Sequence, residues 1–157
     1  MKKLDFLVGE WKGTGQEFYA DGSRLNSFSQ KAKVRVNSDG SALRITDEKN
    51  FKPQVQTGGP VFHNSTLDAT IYYDDATKLY RWRGENSYAR KNPLEAKLIG
   101  AKTLQYGMPF SVTLEPSDGN RRTTIEVTEG GEWHETLEAW SKGSWHKAEE
   151  SVLKKVK

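Results

Sequence analysis

Leu4-Asp5-Phe6-Leu7-Val8-Gly9-Glu10-Trp11-Lys12-Gly13-Thr14-Gly15 is the stretch whose reading decides the fold. Leu4, Phe6, Leu7 and Val8 form an apolar turn that delivers the chain into a strand with Trp11, Gly13 and Gly15 at alternate positions. Alternate residues of a strand share one face. One face therefore carries a single large indole followed by two positions without side chains. That face suits a tightly coiled strand whose inner side curves past close neighbours, the geometry of a sheet that closes on itself.

Outward from this stretch, period-two alternation recurs to the C-terminus, and no long segment favours the helical period. Turn signals rich in Gly, Asn and Asp interrupt it at residues 20–23, 37–40, 74–77, 116–120, 129–131 and 141–144, each able to supply the positive φ of a tight hairpin. Between them lie runs of strand length at residues 10–19, 24–36, 42–47, 67–73, 78–84, 94–99, 102–106, 110–115, 122–128, 132–140 and 145–156. This is an antiparallel meander of about ten strands. An open meander leaves two unpaired edges, and closure removes them. The expected fold is all-β: a single antiparallel up-and-down β-barrel over residues 1–157, with a two-sheet sandwich as the competing arrangement. Two stretches break the rhythm. Residues 48–60, with Pro53, Gly58, Gly59 and Pro60, read as a long loop, and residues 84–93 as a second irregular segment. In a barrel both are expected over the mouth, where long loops often act as lids or binding loops.

The composition fits one domain with a modest or hollow core. The 157 residues match a single domain. Counting Gly and leaving out Tyr, about 39% of residues are apolar, below the ~45–50% usual for soluble domains. Five Trp, six Tyr and six Phe supply large buried surfaces. The 24 basic and 21 acidic residues leave a net charge of only +3, scattered along the chain, so no nucleic-acid partner is expected. No apolar run approaches the ~18 residues of a membrane span. The start lacks the apolar core of a secretory signal, which points to the cytoplasm, with a signal-trimmed periplasmic or secreted origin as the alternative. The absence of cysteine excludes disulfides, thiolate metal sites and cysteine nucleophiles. A monomer or homodimer is expected.

The Gly9-x-Trp11 start resembles that of the calycins, the superfamily of lipocalins and fatty-acid-binding proteins. The longer Phe6-Leu7-x-Gly9-x-Trp11-x-Gly13-x-Gly15 form is similar to an uncharacterised bacterial lipocalin-like family and, less closely, to nitrobindin-like haem-binding barrels. Residues 140–156 look like the closing hairpin of those families, in which the last strand pairs with the first. The resemblance implies that Trp11 plugs the closed end of the barrel beneath a basic side chain of a late strand, with Arg122 and Lys154 as candidates. It also implies a cavity for a small molecule.

A cavity wall of Phe28, Trp82, Phe110, Trp133 and Leu137 would suit a small hydrophobic or amphipathic ligand, with an Arg or His63 orienting its polar end. The expected function is binding of such a molecule without catalysis and without a cofactor. The first alternative is nitrobindin-like haem binding. There the resemblance places the axial ligand at His146, although that residue also reads as a half-exposed strand histidine. The second is an enzyme using the cavity, for which a pocket group with a strongly shifted pKa would be the first support. His134-Glu135-Thr136-Leu137-Glu138 lacks the second histidine of a zinc-protease helix and alternates like a strand, so no metal site is expected there. No spacing singles out a catalytic pair among the carboxylates.

Overall fold

In the computed structural model the residues described are 2–56, 59–85, 92–107 and 120–156, with the side chains of Lys2 and of residues 53–56 and 59–63 left out. A short 3-10 helix, Lys2–Leu7, leads into ten strands: β1 (Gly9–Phe18), β2 (Arg24–Val36), β3 (Ala42–Gln56), β4 (Gly59–Asp74), β5 (Leu79–Gly84), β6 (Leu94–Gly100), β7 (Thr103–Gly107), β8 (Arg121–Val127), β9 (Glu132–Ser141) and β10 (Ser144–Lys155). Each pairs antiparallel with its sequence neighbours, and β1 pairs with β10, so the sheet is a closed barrel. Closure leaves no unpaired edge, and this favours the barrel over the sandwich.

The glycines of β1 behave as their spacing predicts. A Cβ at Gly13 would strike the Val152 carbonyl oxygen and approach Leu153 Cα to 2.8 Å; one at Gly15 would strike the Phe28 ring and reach the Glu150 carbonyl oxygen at 2.6 Å. Between β9 and β10 the turn is Lys142-Gly143, with φ of 50° and 81°. Two consecutive positive values match the type I′ hairpin, whose twist agrees with that of the strands.

Trp11 plugs the closed end. Its indole nitrogen donates to the Leu7 carbonyl at 2.9 Å, its ring lies 5.4 Å from that of Trp133, and Leu4 and Leu7 are fully buried beneath. The basic residue over it is Lys155, with Nζ 5.3 Å from the ring centre, rather than Arg122 or Lys154. Register explains the correction, because Trp11 pairs with Lys155 across β1 and β10 and paired residues share a face. Arg122 sits on the outer wall, over the Trp145 ring at 4.1 Å and paired with Glu138 at 2.9 Å.

The loop expected at residues 48–60 is mostly strand. β3 runs to Gln56, and β4 begins at Gly59. Pro53 falls where the β3–β4 register shifts, between Phe51 and Gln54. A proline at a bulge removes a donor the ladder does not use there, so it interrupts alternation without ending the strand. The expected strand at 110–115 and most of the irregular segment at 84–93 lie outside the described residues.

The pairing registers sort the inner wall into levels. The closed half is packed by Trp11, Val34, Leu43, Ile45, Ile71, Leu104, Ile125, Val127, Trp133 and Leu153. Above these, toward the ends of β1, β3, β7 and β9, the inward residues turn polar.

Candidate functional site

The polar level is built by alternation carried past the apolar core. On β2 the inward series is Phe28, Gln30, Ala32 and Val34, and Gln30 pairs with Lys49. On β3 the series is Phe51, Lys49, Asp47 and Ile45. Glu135 of β9 lies opposite Ser151 of β10, and Leu137 opposite Glu149. β7 and β8 add Tyr106 opposite Thr123. These positions converge because the barrel is closed. Gln30 and Glu135 are 105 residues apart in sequence, yet their side chains bond directly.

Gln30 is the centre of the cluster. Its Nε2 donates to Asp47 Oδ1 at 3.0 Å, to Asp47 Oδ2 at 3.1 Å and to Glu135 Oε2 at 2.9 Å. Lys49 Nζ lies 3.1 Å from Glu149 Oε1 and 3.4 Å from Glu135 Oε2, and 5.3 Å from the centre of the Phe28 ring. Exposure is 1% for Gln30, 9% for Asp47, 5% for Glu135 and 4% for Ser151. Two polar atoms of this level, Gln30 Oε1 and Ser151 Oγ, are buried without a hydrogen-bond partner among the described residues.

Burial shapes the protonation of the cluster. Desolvation, together with the neighbouring Glu135, raises the Asp47 carboxyl to about 7, against the pull of Lys49 and the Gln30 hydrogen bond. Burial pushes the Lys49 ammonium down, but Glu135, Glu149 and Asp47 outweigh it and hold the ammonium above its ordinary range. Tyr106 is raised well above the usual phenol by its own burial and then by Glu135 and Asp47, so it stays a neutral hydroxyl. At neutral pH the level therefore combines a half-ionised acid, two further carboxyls and one fixed cation.

Of the residues singled out from sequence, Phe28, Trp82, Trp133 and Leu137 are buried and face inward, at different levels. Trp133 belongs to the plug, against Trp11. Trp82 stacks on Tyr106, with ring centres 3.8 Å apart and planes at 9°. Phe28 lies above the polar level against Phe51, with ring centres 5.0 Å apart, and Leu137 stands across from Glu149. His63 pairs with Phe51 in the β3–β4 ladder, but its side chain, like all of Phe110, lies outside the described residues.

His146 sits by the β9–β10 turn. Its Nε2 is 3.0 Å from the Ser141 carbonyl oxygen and 3.2 Å from the Ser144 hydroxyl. The open groove beside it, about 390 Å³, is lined by Phe18, Ala20, Asp21, Gly22, Lys147 and Glu150. Haem needs a free ring nitrogen and broad apolar faces. The groove at His146, lined by the charged Asp21, Lys147 and Glu150, does not offer such apolar faces. Among the described residues no group of three or more histidines, aspartates and glutamates is placed to hold a metal ion, and no helix is long and apolar enough to cross a membrane.

A larger groove, about 570 Å³, runs over β1, β2, β9 and β10, and the inward-facing Phe28, Glu135 and Ser151 help to line it. Thr14, Ser29, His134 and Val152, four of the side chains lining it, are exposed. Gln30, Asp47 and Lys49 do not line it, whereas Glu135 and Ser151 of the same polar level do.

Sequence missed Gln30, Asp47, Lys49, Glu149 and Ser151 as site residues. The signal for Gln30 was present: it stands on the apolar face of an otherwise alternating strand. Lys49 was lost because Pro53 and the glycine pair made its segment read as a loop.

No protein-family model matches the chain, and no curated protein matches it. A comparison of folds finds a protein of unknown function from the DUF3598 family of Nostoc punctiforme, solved by crystallography, with a TM-score of 0.60 and 13% identity. The likeness covers 97% of this chain and 48% of that one, so this chain spans about half of its neighbour's length. At that identity the likeness shows the barrel fold alone.

Proposed function

We propose that this protein is a calycin-like barrel that binds a small amphipathic molecule in the mouth half of its interior, without catalysis. The observation carrying this reading is the polar level itself. Buried polar groups are nearly always satisfied, yet Gln30 Oε1 and Ser151 Oγ are buried without partners among the described residues. They lie on the wall that carries the Asp47, Glu135 and Lys49 charges, with Phe28, Phe51 and Leu137 nearby. A ligand with a polar end against this level and an apolar body among those side chains would satisfy both sets of groups. The closed half, filled by Trp11, Trp133 and their neighbours, supplies a rigid floor.

The test is native mass spectrometry of the full chain as purified, followed by amide chemical-shift mapping with a fragment set carrying amine, hydroxyl and carboxylate ends. Binding in the mouth half should shift the Gln30 side-chain amide and the backbone amides of Asp47, Glu135 and Ser151. A bare chain whose signals at these four residues respond to no fragment overturns the reading.

One observation favours a second reading, proton-transfer catalysis in the same space. Asp47, raised to about 7, is poised to exchange a proton at neutral pH. Under that reading Asp47→Asn abolishes turnover while binding persists. Under the first, a bound molecule is recovered chemically unchanged.

A further inference from the structure

We infer that the polar level of the barrel selects a ligand bearing a protonated amine, which Gln30 Oε1, the Asp47 carboxyl and Ser151 Oγ would receive. The inference rests on the proposed binding function and names its ligand class.

A count of hydrogen-bonding groups gives the first reason. Both hydrogens of Gln30 Nε2 are shared among three carboxyl oxygens. The Lys49 ammonium is committed to Glu149 and Glu135. Gln30 Oε1, 1% exposed and without a partner, is an acceptor only. Its amide orientation is fixed, because turning it would set the oxygen against two carboxyls. Ser151 Oγ accepts as readily as it donates. Gln30 Oε1 is thus an acceptor for which the described residues supply no N–H or O–H donor.

Charge gives the second reason. Among the described residues, Asp47, Glu135 and Glu149 face one cation, Lys49. A carboxylate ligand would add a fourth acid to this group, and an alcohol would leave the imbalance as it stands. An ammonium supplies donors and neutralises charge together, and hydrogen bonds between charged groups are the strong ones.

The third reason is that the protein already holds an alkylammonium there. Lys49 Nζ is gripped by two carboxylates and lies 5.3 Å from the centre of the Phe28 ring, the carboxylate-plus-aromatic arrangement that suits organic cations. A ligand amine on the Asp47 side of Gln30 would repeat that arrangement with the acceptors left over.

Proton linkage follows. The groups around Asp47 are Gln30 from β2, Lys49 from its own strand, Tyr106 and Thr123 from β7 and β8, Glu135 from β9 and Glu149 from β10. Of these, burial and Glu135 are the main causes that keep the Asp47 proton on at mildly acidic pH. An ammonium beside the carboxyl favours its ionised form, so binding below about pH 7 releases a proton, and binding above that pH releases none.

The test is calorimetric titration of the full chain with n-hexylammonium, n-hexanol and n-hexanoate, at pH 6 in two buffers of different ionisation heat and again at pH 8.5. The expected result is that hexylammonium binds at least about tenfold tighter than hexanol and hexanoate most weakly of the three. Hexylammonium should release close to one proton at pH 6. Asp47→Asn should weaken hexylammonium about tenfold and abolish the proton release. Should that variant fail to fold, Ser151→Ala, which removes one receiving oxygen, should weaken hexylammonium more than hexanol. Equal or tighter binding of hexanol or hexanoate overturns the amine assignment while the binding barrel stands. Silence from all three probes overturns the assignment too; joined to a negative fragment map at Gln30, Asp47, Glu135 and Ser151, it overturns the binding reading as well.

Discussion

Replacing Asp47 by asparagine should stabilise the protein at alkaline pH and leave it nearly unchanged in mild acid. Asp47 is buried, and its carboxyl is raised from 3.8 to about 7 by desolvation and then by Glu135. Between those values the folded chain keeps a proton that the unfolded chain gives up. The unfolded state then binds fewer protons, so stability falls as pH rises through the window from about 4 to about 7. A shift of about 3 units at ~1.4 kcal/mol each sets a ceiling near 4 kcal/mol for this loss. Asparagine has the shape of the protonated acid, and its oxygen can accept from Gln30 Nε2 as the acid does. Asp47→Asn should therefore equal the parent near pH 4.5 and exceed it by at least about 2 kcal/mol at pH 8, a rise of roughly 4–8 °C in Tm for a chain of this size. Urea unfolding followed by the fluorescence of the five tryptophans at pH 4.5, 6 and 8 measures the difference directly. A difference that does not change with pH, or a variant weaker than the parent at pH 8, would refute the reasoning, because Asp47 would then be ionised and well satisfied in the fold.

Other parts of the barrel give their own tests. Lys49→Met leaves Glu135 and Glu149 without their shared cation in a buried setting, and should cost about 3 kcal/mol at pH 8 in the same urea assay; a loss below about 1 kcal/mol would mean the ion pairs do little. Gly15→Ala places a methyl against the Phe28 ring and the Glu150 carbonyl, and should cost at least about 2 kcal/mol. Gly131→Ala, in open space at a φ of 82°, should cost about 1 kcal/mol through backbone strain alone, so the ratio of the two separates packing from conformation. The groove at His146 is lined by the charged Asp21, Lys147 and Glu150, so ferric haem should give the same Soret band with the parent and with His146→Ala; a shift seen with the parent and lost in the variant would restore the haem reading.

Period-two patterning tells which face a residue occupies but not how high it stands in the barrel, and this divides what was legible from what was not. The closing strand pair was readable because Trp11, Gly13 and Gly15 carry a steric demand that any partner must meet, and Val152, Leu153 and Phe28 meet it. The inward faces of β5 and β9 were readable for the same local reason: Trp82 alternates with two arginines, and Trp133 and Leu137 with His134 and Glu138. The level of each was not. Trp133 went to the plug and Glu135, two residues on, to the polar cluster, because height is set by registers between distant strands. That Gln30 bonds Glu135 is a consequence of the three pairings that carry β2 through β1 and β10 to β9, and no local window contains it. The glycine pair and Pro53 compounded this by hiding the strand that carries Lys49. The same division shows what the cluster is free to do. Its members come one or two from each of several strands, and none is held by the local steric demands that fix β1. Isosteric changes such as Asp47→Asn and Ser151→Ala can therefore alter the chemistry of the level while the ladder on either side stays intact. A site so placed can change its ligand without the barrel changing its fold, so the ligand has to be sought in the charges and unmet acceptors of that level and not in the likeness of the barrel to others.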